Sequence, residues 1–262
     1  MAVARSAYDP RVTRRRRNPL AWLARVSYDG TVRTLAALLA ALWVLLGIRP
    51  KYRDVWLLEN APFVALMVVL VLLHRRMRLS RFSYLLIFFF CCLHLVGAHY
   101  SYAETPYDGW VGAVFGTELG EAFGWERNHY DRFVHLCYGL LLAYPVRELF
   151  LRVADVRGFW GYFLPLDVVM STSMIYELLE WAAAVVFPAG PSRSYLGDQG
   201  DRWDAQKDMA LAASGALIAM CATALVNWRM RRDFAREWRE SLRVKRAKPL
   251  GEEAVPQATA RR

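Results

Sequence analysis

Six runs of apolar residues divide this chain, and they constrain its fold more than any other feature of the sequence. A helix of about 20 residues crosses the roughly 30 Å hydrocarbon core of a bilayer, and in lipid a helix satisfies its own backbone hydrogen bonds. The sequence therefore predicts an all-α polytopic membrane protein, a bundle of six transmembrane helices within a domain of residues 33–228. The runs cover residues 34–48, 55–73, 82–102, 130–150, 159–187 and 209–228.

The charge of the chain is unevenly distributed. The 262 residues carry a formal net charge of +10, and 56% of them are hydrophobic. Arginines concentrate in an N-terminal arm of residues 1–32 and in a C-terminal tail of residues 229–262. Binding to nucleic acid would explain a basic chain but not the apolar runs, so we expect membrane lipids and no nucleic acid as partners.

The loops between the runs predict an orientation. Arginines occupy both terminal segments and the turns at 74–81 and 152–157, whereas the connections at 103–129 and 188–208 are rich in acids. Because basic segments stay in the cytoplasm, we expect both termini to lie on the cytoplasmic side of the membrane. The mildly basic hairpin at 49–54 is the exception to this alternation.

The stretch from Tyr176 to Asp208 places acids where a membrane protein rarely carries them. It begins YELLEW, with Glu177 and Glu180 inside an apolar run, and ends GDQGDRWDAQKD, with Asp204 and Asp208 leading into the sixth run. Carboxylates at membrane depth are costly unless they are paired, protonated, solvated or bound to a cation. The stretch therefore predicts part of a site.

The other ionisable residues of the runs cluster at the same predicted depth. Five spans carry such groups at the outward end, whereas the cytoplasmic ends carry mainly arginines. This coincidence predicts an outward-facing polar pocket. The groups concerned are Glu59, His99, Glu104, Asp131, His135, Glu177, Glu180, Asp201, Asp204 and Asp208.

Helical spacing refines the prediction. Asp131 and His135 are four residues apart and Glu177 and Glu180 three apart, so each pair shares a helix face. Histidine nitrogen with carboxylate oxygen suits zinc, manganese or iron, and a carboxylate beside a histidine can orient a general base. We predict His135, Asp131 and Glu177 as catalytic residues. The predicted metal ligands are His99, Glu104, His135, Glu177, Glu180, Asp204 and Asp208.

Four further side chains near this pocket are predicted to bind substrate. Arg127 and Arg132 are suited to an anionic group such as a lipid phosphate, and Tyr100 and Tyr176 to hydrogen bonding. The simpler interpretation is that Asp131 and Arg132 form an interfacial ion pair, and that Asp201 and Asp204 only cap the sixth helix, where the helix dipole favours acids.

Four segments resemble a known family. The segments GAHYSYAETP (97–106), RNHYDRFVH (127–135), YELLEW (176–181) and YLGDQGDRWDAQKDM (195–209) are similar to the YjdF family of bacterial inner-membrane proteins, which has no established function. The resemblance covers about residues 35–228 and implies a fold and a site location. It does not imply a reaction.

A more distant resemblance is to the VanZ-like membrane proteins, which are associated with glycopeptide resistance. Their pattern is D-K-x-x-H, then a helix glutamate, then D-x-x-x-N-x-x-G. Here Arg132 stands in place of the lysine and Ala212 in place of the asparagine. The positions in step are Asp131, His135, Glu177 or Glu180, Asp208 and Gly215.

Three functions remain open from the sequence. The first is a metal-dependent hydrolase or transferase acting on a lipid-linked or envelope substrate at the periplasmic face. The second is a cation or proton transporter, which predicts polar residues continuing inward, such as Asp167 and residues 171–173. The third is a structural accessory protein whose acids only hold helices together.

Overall fold

A computed structural model of the chain describes residues 27–186, 199–230 and 234–245. Six of its helices are long and apolar enough to cross a membrane, and these parts of the chain contain no β-strand. The predicted all-α membrane architecture is therefore confirmed. The helices are α1 Tyr28–Gly47, α2 Arg53–Arg76, α3 Arg81–Tyr100, α4 Tyr107–Phe115, α5 Leu119–Phe123, α6 Tyr130–Val153, α7 Trp160–Val186, α8 Asp204–Met230 and α9 Phe234–Ser241, of which α4, α5 and α9 are short.

The helices extend beyond the apolar runs at several points. Helix α8 begins at Asp204, ahead of the run that starts at residue 209, and therefore includes two of the predicted site acids. The connection at 103–129 contains α4 and α5 rather than only loop. Helix α7 continues through Pro165. Most of the predicted arm and tail lies outside the described residues.

The bundle has two chemically different ends. We call the end where α3 and α7 finish and α6 and α8 begin the acidic end, and the opposite one the basic end. At the basic end Glu148 of α6 accepts hydrogen bonds from the Ser80 amide at 2.8 Å and the Ser83 hydroxyl at 2.6 Å. The amide of Phe159, just before α7, donates to Ser241 of α9 at 3.0 Å. These contacts fix the basic end of α3, α6 and α7.

Helices α6 and α8 approach each other more closely than side chains would allow. A methyl group built on Gly139 would lie 1.9 Å from the carbonyl oxygen of Ala212, and one on Gly215 would lie 2.1 Å from that of Leu136. Small residues let membrane helices approach until their backbones touch. Buried Ala212 and Ala216 continue the same contact. This contact brings the first turns of α6 and α8 together.

A separate apolar core joins the first three helices. Leu39 of α1, Phe63 of α2, and Ile87, Cys91 and Leu95 of α3 form a buried cluster. A hydrogen bond of 2.7 Å from the Trp43 indole to Asn60 also links α1 to α2. The bundle therefore consists of an α1–α3 group joined, through α3 and α6, to an α6–α8 group.

Candidate functional site

Three helices bring most of the predicted acids together at the acidic end. Helix α6 contributes Asp131 and His135 from its first turns, α7 contributes residues near its end, and α8 contributes acids from its first turns. Asp131, His135 and Asp208 are all buried, with relative exposures of 9%, 8% and 2%. The other predicted site acids in these helices are Glu177, Glu180 and Asp204.

Three carboxylates form the most compact part of the site. Asp131, Asp204 and Asp208 each offer an oxygen within 4.8 Å of the other two. Asp204 and Asp208 are one helical turn apart, and the close α6–α8 contact places Asp131 opposite them. Oxygen ligands of a metal with 2.0–2.2 Å bonds lie at most about 4.4 Å apart. The carboxylate spacing is therefore close to that of a coordination sphere.

His135 lies between acids of two helices. Its Nε2 is 3.3 Å from Oε1 of Glu177 and 3.6 Å from Oδ1 of Asp131. The approach to Glu177 does not have hydrogen-bond geometry. Within the described chain, His135 Nδ1, Glu177 Oε1 and Asp208 Oδ1 are buried without a hydrogen-bond partner. A buried polar atom without a partner is costly, so a bound ligand would stabilise all three.

A pair of arginines neutralises the outer acids. Arg127 contacts both carboxylate oxygens of Asp204, at 2.8 Å and 3.0 Å, and Arg132 bonds to Asp204 at 3.0 Å and to Asp201 at 2.5 Å. Hydrogen bonds from Lys207 and from the Trp203 amide hold the pKa of Asp201 well below its usual range. The outer acids are thus paired with basic side chains of the chain itself.

The inner acids have no such counterions in the part of the chain that the structure describes. Among the described residues, no lysine or arginine forms a salt bridge with any of five inner carboxylates. Burying several ionised carboxylates together without compensation is strongly unfavourable, so protons or a cation must balance them. The five are Glu59, Asp131, Glu177, Glu180 and Asp208.

Glu59 connects the site to α2. The Tyr176 hydroxyl of α7 donates a hydrogen bond of 2.8 Å to Oε2 of Glu59. Next to it, His94 of α3 lies 3.1 Å from the Glu59 backbone carbonyl through Nε2 and 2.6 Å from the Tyr102 hydroxyl through Nδ1. Because a carbonyl only accepts, Nε2 carries the proton and Nδ1 accepts from Tyr102. Both nitrogens of His94 are satisfied.

The structure gives three other predicted site residues different partners. Glu104 pairs with Lys51 and accepts a hydrogen bond of 3.0 Å from Tyr52, and the bond to Lys51 lowers the pKa of Glu104. His99 bonds through Nδ1 to the Leu46 carbonyl at 2.8 Å, and Tyr100 packs edge-on against His99. The group formed by the three aspartates includes none of them. Glu104 and His99 join the end of α1 and the hairpin after it to the end of α3.

The partners of the predicted substrate-binding residues were not foreseen. Arg127 and Arg132 contact acids of the chain itself, and Tyr176 contacts Glu59. The available signal was the pair of arginines in RNHYDR and the three aspartates in GDQGDRWD, because such opposite charges favour pairing. Asp198 of the same stretch lies outside the described residues.

Comparison with known proteins identifies the family. The family described as "Predicted membrane protein (DUF2238)" matches residues 31–229. The chain belongs to this family. "Inner membrane protein YjdF" of Escherichia coli strain K12 is 35% identical over 202 residues, which cover 77% of this chain and 92% of that relative. No solved structure matches.

The match places the whole site inside the family region. The resemblance to the YjdF family is confirmed, and the chain is a multi-pass membrane protein of unknown function. The more distant resemblance to VanZ-like proteins stays a prediction. Because no relative's description names a reaction, the chemistry of the site has to be argued from its own residues.

Proposed function

We propose that this protein is an inner-membrane metalloprotein that holds one divalent ion between α6, α7 and α8. The observation that carries the proposal is the group of Asp131, Asp204 and Asp208, whose oxygens lie within 4.8 Å of one another. His135 and Glu177 add buried atoms without hydrogen-bond partners beside this group. One imidazole nitrogen with carboxylate oxygens suits zinc, manganese or iron.

The proposed ligands differ in the contacts that they already make with other residues. Both oxygens of Asp204 are already contacted by arginines, whereas Asp208 Oδ1 has no hydrogen-bond partner among the described residues. Asp131, Asp208, His135 and Glu177 are therefore the proposed principal ligands. Asp204, positioned by Arg127 and Arg132, lies at the edge of the ion. Such outer contacts orient ligands and tune affinity.

The proposed reaction class is hydrolysis or group transfer on an anionic or lipid-linked substrate. A bound ion of this kind activates water and polarises phosphoryl or carbonyl oxygens. Either His135 or Glu177, if not coordinated, lies close enough to exchange a proton with a reacting group, and Asp131 orients the imidazole. Arg132 retains a buried Nε without a hydrogen-bond partner in the described structure, which suits an added contact to an anion.

The proposed orientation directs the acidic end to the periplasm. The turns at the basic end carry Arg78, Arg152 and Arg157, and the predicted cytoplasmic arm and tail are rich in arginine. Positive residues favour the cytoplasmic side. With six spans both termini then lie in the cytoplasm, and the site opens toward substrates of the cell envelope.

Elemental analysis of the purified full-length protein tests the metal site. Wild type is compared with His135→Ala, Glu177→Gln and the control His74→Ala, whose histidine bonds to Tyr84 near the basic end. We expect one transition metal per chain in wild type and the control, and loss in the other two. Absence of metal from wild type after supplementation with zinc, manganese and iron would refute the proposal.

A second candidate function is cation or proton transport. Ser173 lies one turn before Glu177 in α7 with a buried hydroxyl that has no partner among the described residues, and Thr172 bonds to Tyr138 at 2.5 Å. These groups extend the polar line from the acids toward the middle of α7. Transport predicts cation-dependent pH changes in proteoliposomes, lost in Glu177→Gln, and no requirement for a tightly bound transition metal.

A further inference from the structure

A largely apolar cavity lies directly beside the site. It has a volume of about 320 Å³ and lies between α2, α3, α6 and α7. Asp131 and His135 form part of its wall at the acidic end. Its remaining wall is dominated by apolar side chains, among them Pro62, Phe63, Leu66, Phe90, Leu142 and Leu179. The size falls in the range of small-molecule sites, about 300–1,000 Å³.

The cavity opens on the side of the bundle. Helices α2 and α7 do not pack closely against each other, and the hydrogen bond between Tyr176 and Glu59 joins them at the acidic end. Ile175 and Leu179, which line the cavity from α7, are 50% and 54% exposed. Both lie inside a membrane span, so the opening faces hydrocarbon rather than water.

We propose that this cavity takes the hydrocarbon chain of a membrane amphiphile whose polar head lies against Asp131 and His135. The inference rests on the proposed metal site and names its substrate class. An apolar space that opens into the bilayer is filled from the bilayer, because water gains few hydrogen bonds there. From Asp131 to Leu142 the cavity follows α6 for roughly 16 Å, at 1.5 Å per residue.

One polar atom inside the cavity favours an amphiphile, rather than a plain hydrocarbon, as the occupant of the cavity. Ser173 is 2% exposed, lines the cavity, and its hydroxyl has no hydrogen-bond partner among the described residues. An oxygen in the linkage between head and chain, from an ester or a phosphate, would accept a hydrogen bond from this hydroxyl. The head would then reach the acids one turn further along α7, where a bound cation would offset their charge.

The geometry also sets the direction of entry. Tyr176 lines the cavity and its hydroxyl is held by Glu59, so α2 and α7 are joined at the acidic end and separated below it. A membrane amphiphile therefore enters sideways from the lipid, with its head already near the level of the site. A water-soluble substrate would have to pass the paired side chains instead.

Photocrosslinking in vesicles tests the inference with adjacent matched variants. Full-length protein is reconstituted with a phospholipid carrying a diazirine in its acyl chain and, separately, with an isoprenyl phosphate carrying the same group. Wild type is compared with Leu179→Trp at the cavity entrance and Leu178→Trp beside it. Leu178 is 52% exposed and does not line the cavity. The two probes distinguish an acyl from an isoprenyl chain.

We expect labelling of cavity-lining peptides of α2, α3 and α6 by one probe. Labelling of these peptides should fall roughly tenfold in Leu179→Trp, since the indole fills the entrance, and stay at the wild-type level in Leu178→Trp. Equal labelling of all three proteins, or labelling confined to lipid-facing residues, would overturn the inference. Metal content measured on the same samples separates the two proposals, because Leu179→Trp changes no proposed ligand.

Discussion

Nε2 of His135 lies 3.3 Å from Oε1 of Glu177, across the contact between α6 and α7. The two atoms are close but do not form a hydrogen bond, and Glu177 Oε1 has no other hydrogen-bond partner in the described chain. This arrangement is compatible with the proposed metal site, in which both side chains would contact one ion. It leads to predictions that separate a metal centre from a merely structural acid cluster.

Asp208→Asn should lower metal affinity by at least about tenfold, because it removes a proposed ligand. In the metal-free protein the same change should leave thermal stability unchanged or higher, since it replaces a member of a group of crowded buried acids by a neutral amide. Isothermal titration and thermal unfolding of the purified protein measure the two effects. A loss of metal-free stability would indicate that the carboxylate has a structural role instead.

Asp204→Asn should behave differently, because Asp204 is the partner of two arginines. Breaking a buried ion pair on one side costs roughly 3–5 kcal/mol. We therefore expect a lower unfolding temperature even without metal. Equal metal-free stability of Asp204→Asn and Asp208→Asn would contradict the division into outer paired acids and inner ligands.

Metal binding should weaken as the pH falls. Carboxylates and histidine coordinate only when deprotonated, so protons compete with the ion and its binding releases protons. Affinity measured by titration should therefore rise with pH until the ligands are fully deprotonated. Glu104→Gln should follow the wild-type curve if Glu104 is not a ligand, and a shifted curve would restore Glu104 to the predicted ligand set.

The pair of Glu104 with Lys51 should contribute less than about 1 kcal/mol, since both side chains are about 40% exposed and screened by solvent. The folded pKa of Glu104 lies below its ordinary value of 4.5. Its contribution is therefore present above that value and is lost as the pH falls through the folded pKa. Thermal unfolding of Glu104→Gln should differ slightly from wild type near neutral pH and coincide with it in acid.

Gly139→Ala should destabilise the bundle by roughly 1–3 kcal/mol, the usual effect of overpacking. The added methyl group would displace α8 at Ala212 and separate the site acids, so metal affinity should fall as well. Gly109→Ala is the control, because a methyl group there meets only Glu118 at 4.0 Å. Wild-type stability in Gly139→Ala would show that the helices can move apart without cost.

The proposed orientation predicts which cysteines an impermeant thiol reagent labels in intact spheroplasts. In a background without native cysteines, Thr117→Cys between α4 and α5 should be labelled. Arg157→Cys in the turn before α7 should react only after lysis. Positive residues at the cytoplasmic side give this expectation. The reverse pattern would place the site in the cytoplasm.

The six spans were predictable because each is both apolar and long enough to cross a bilayer. Few other structures require this combination. The gathering of Asp131, His135, Glu177 and Asp208 followed from depth alone, since groups at one depth in a narrow bundle lie near one another. Depth does not specify which helices touch. Glu104 has the right depth, yet the structure pairs it with Lys51.

The cavity was not predictable for a related reason. In a bilayer both the buried and the lipid-facing sides of a helix are apolar, so the sequence of α7 does not mark which leucines border a space. Leu178 and Leu179 are adjacent, identical and similarly exposed, but only Leu179 lines the cavity. Leu179 lines the cavity because α2 and α7 do not pack closely against each other. That gap depends on the arrangement of all the helices, which the sequence of α7 does not contain.

The direct contact of α6 with α8 has a consequence for biogenesis. These helices are not consecutive, and α8 is the last of the six described spans to be synthesised. Asp131 and His135 therefore enter the bilayer before Asp204 and Asp208 exist to face them. The glycine contact can close only when α8 arrives beside α6. The three aspartates accordingly come together only after α8 has joined the bundle, and the proposed ion could be held by all of them only from then on.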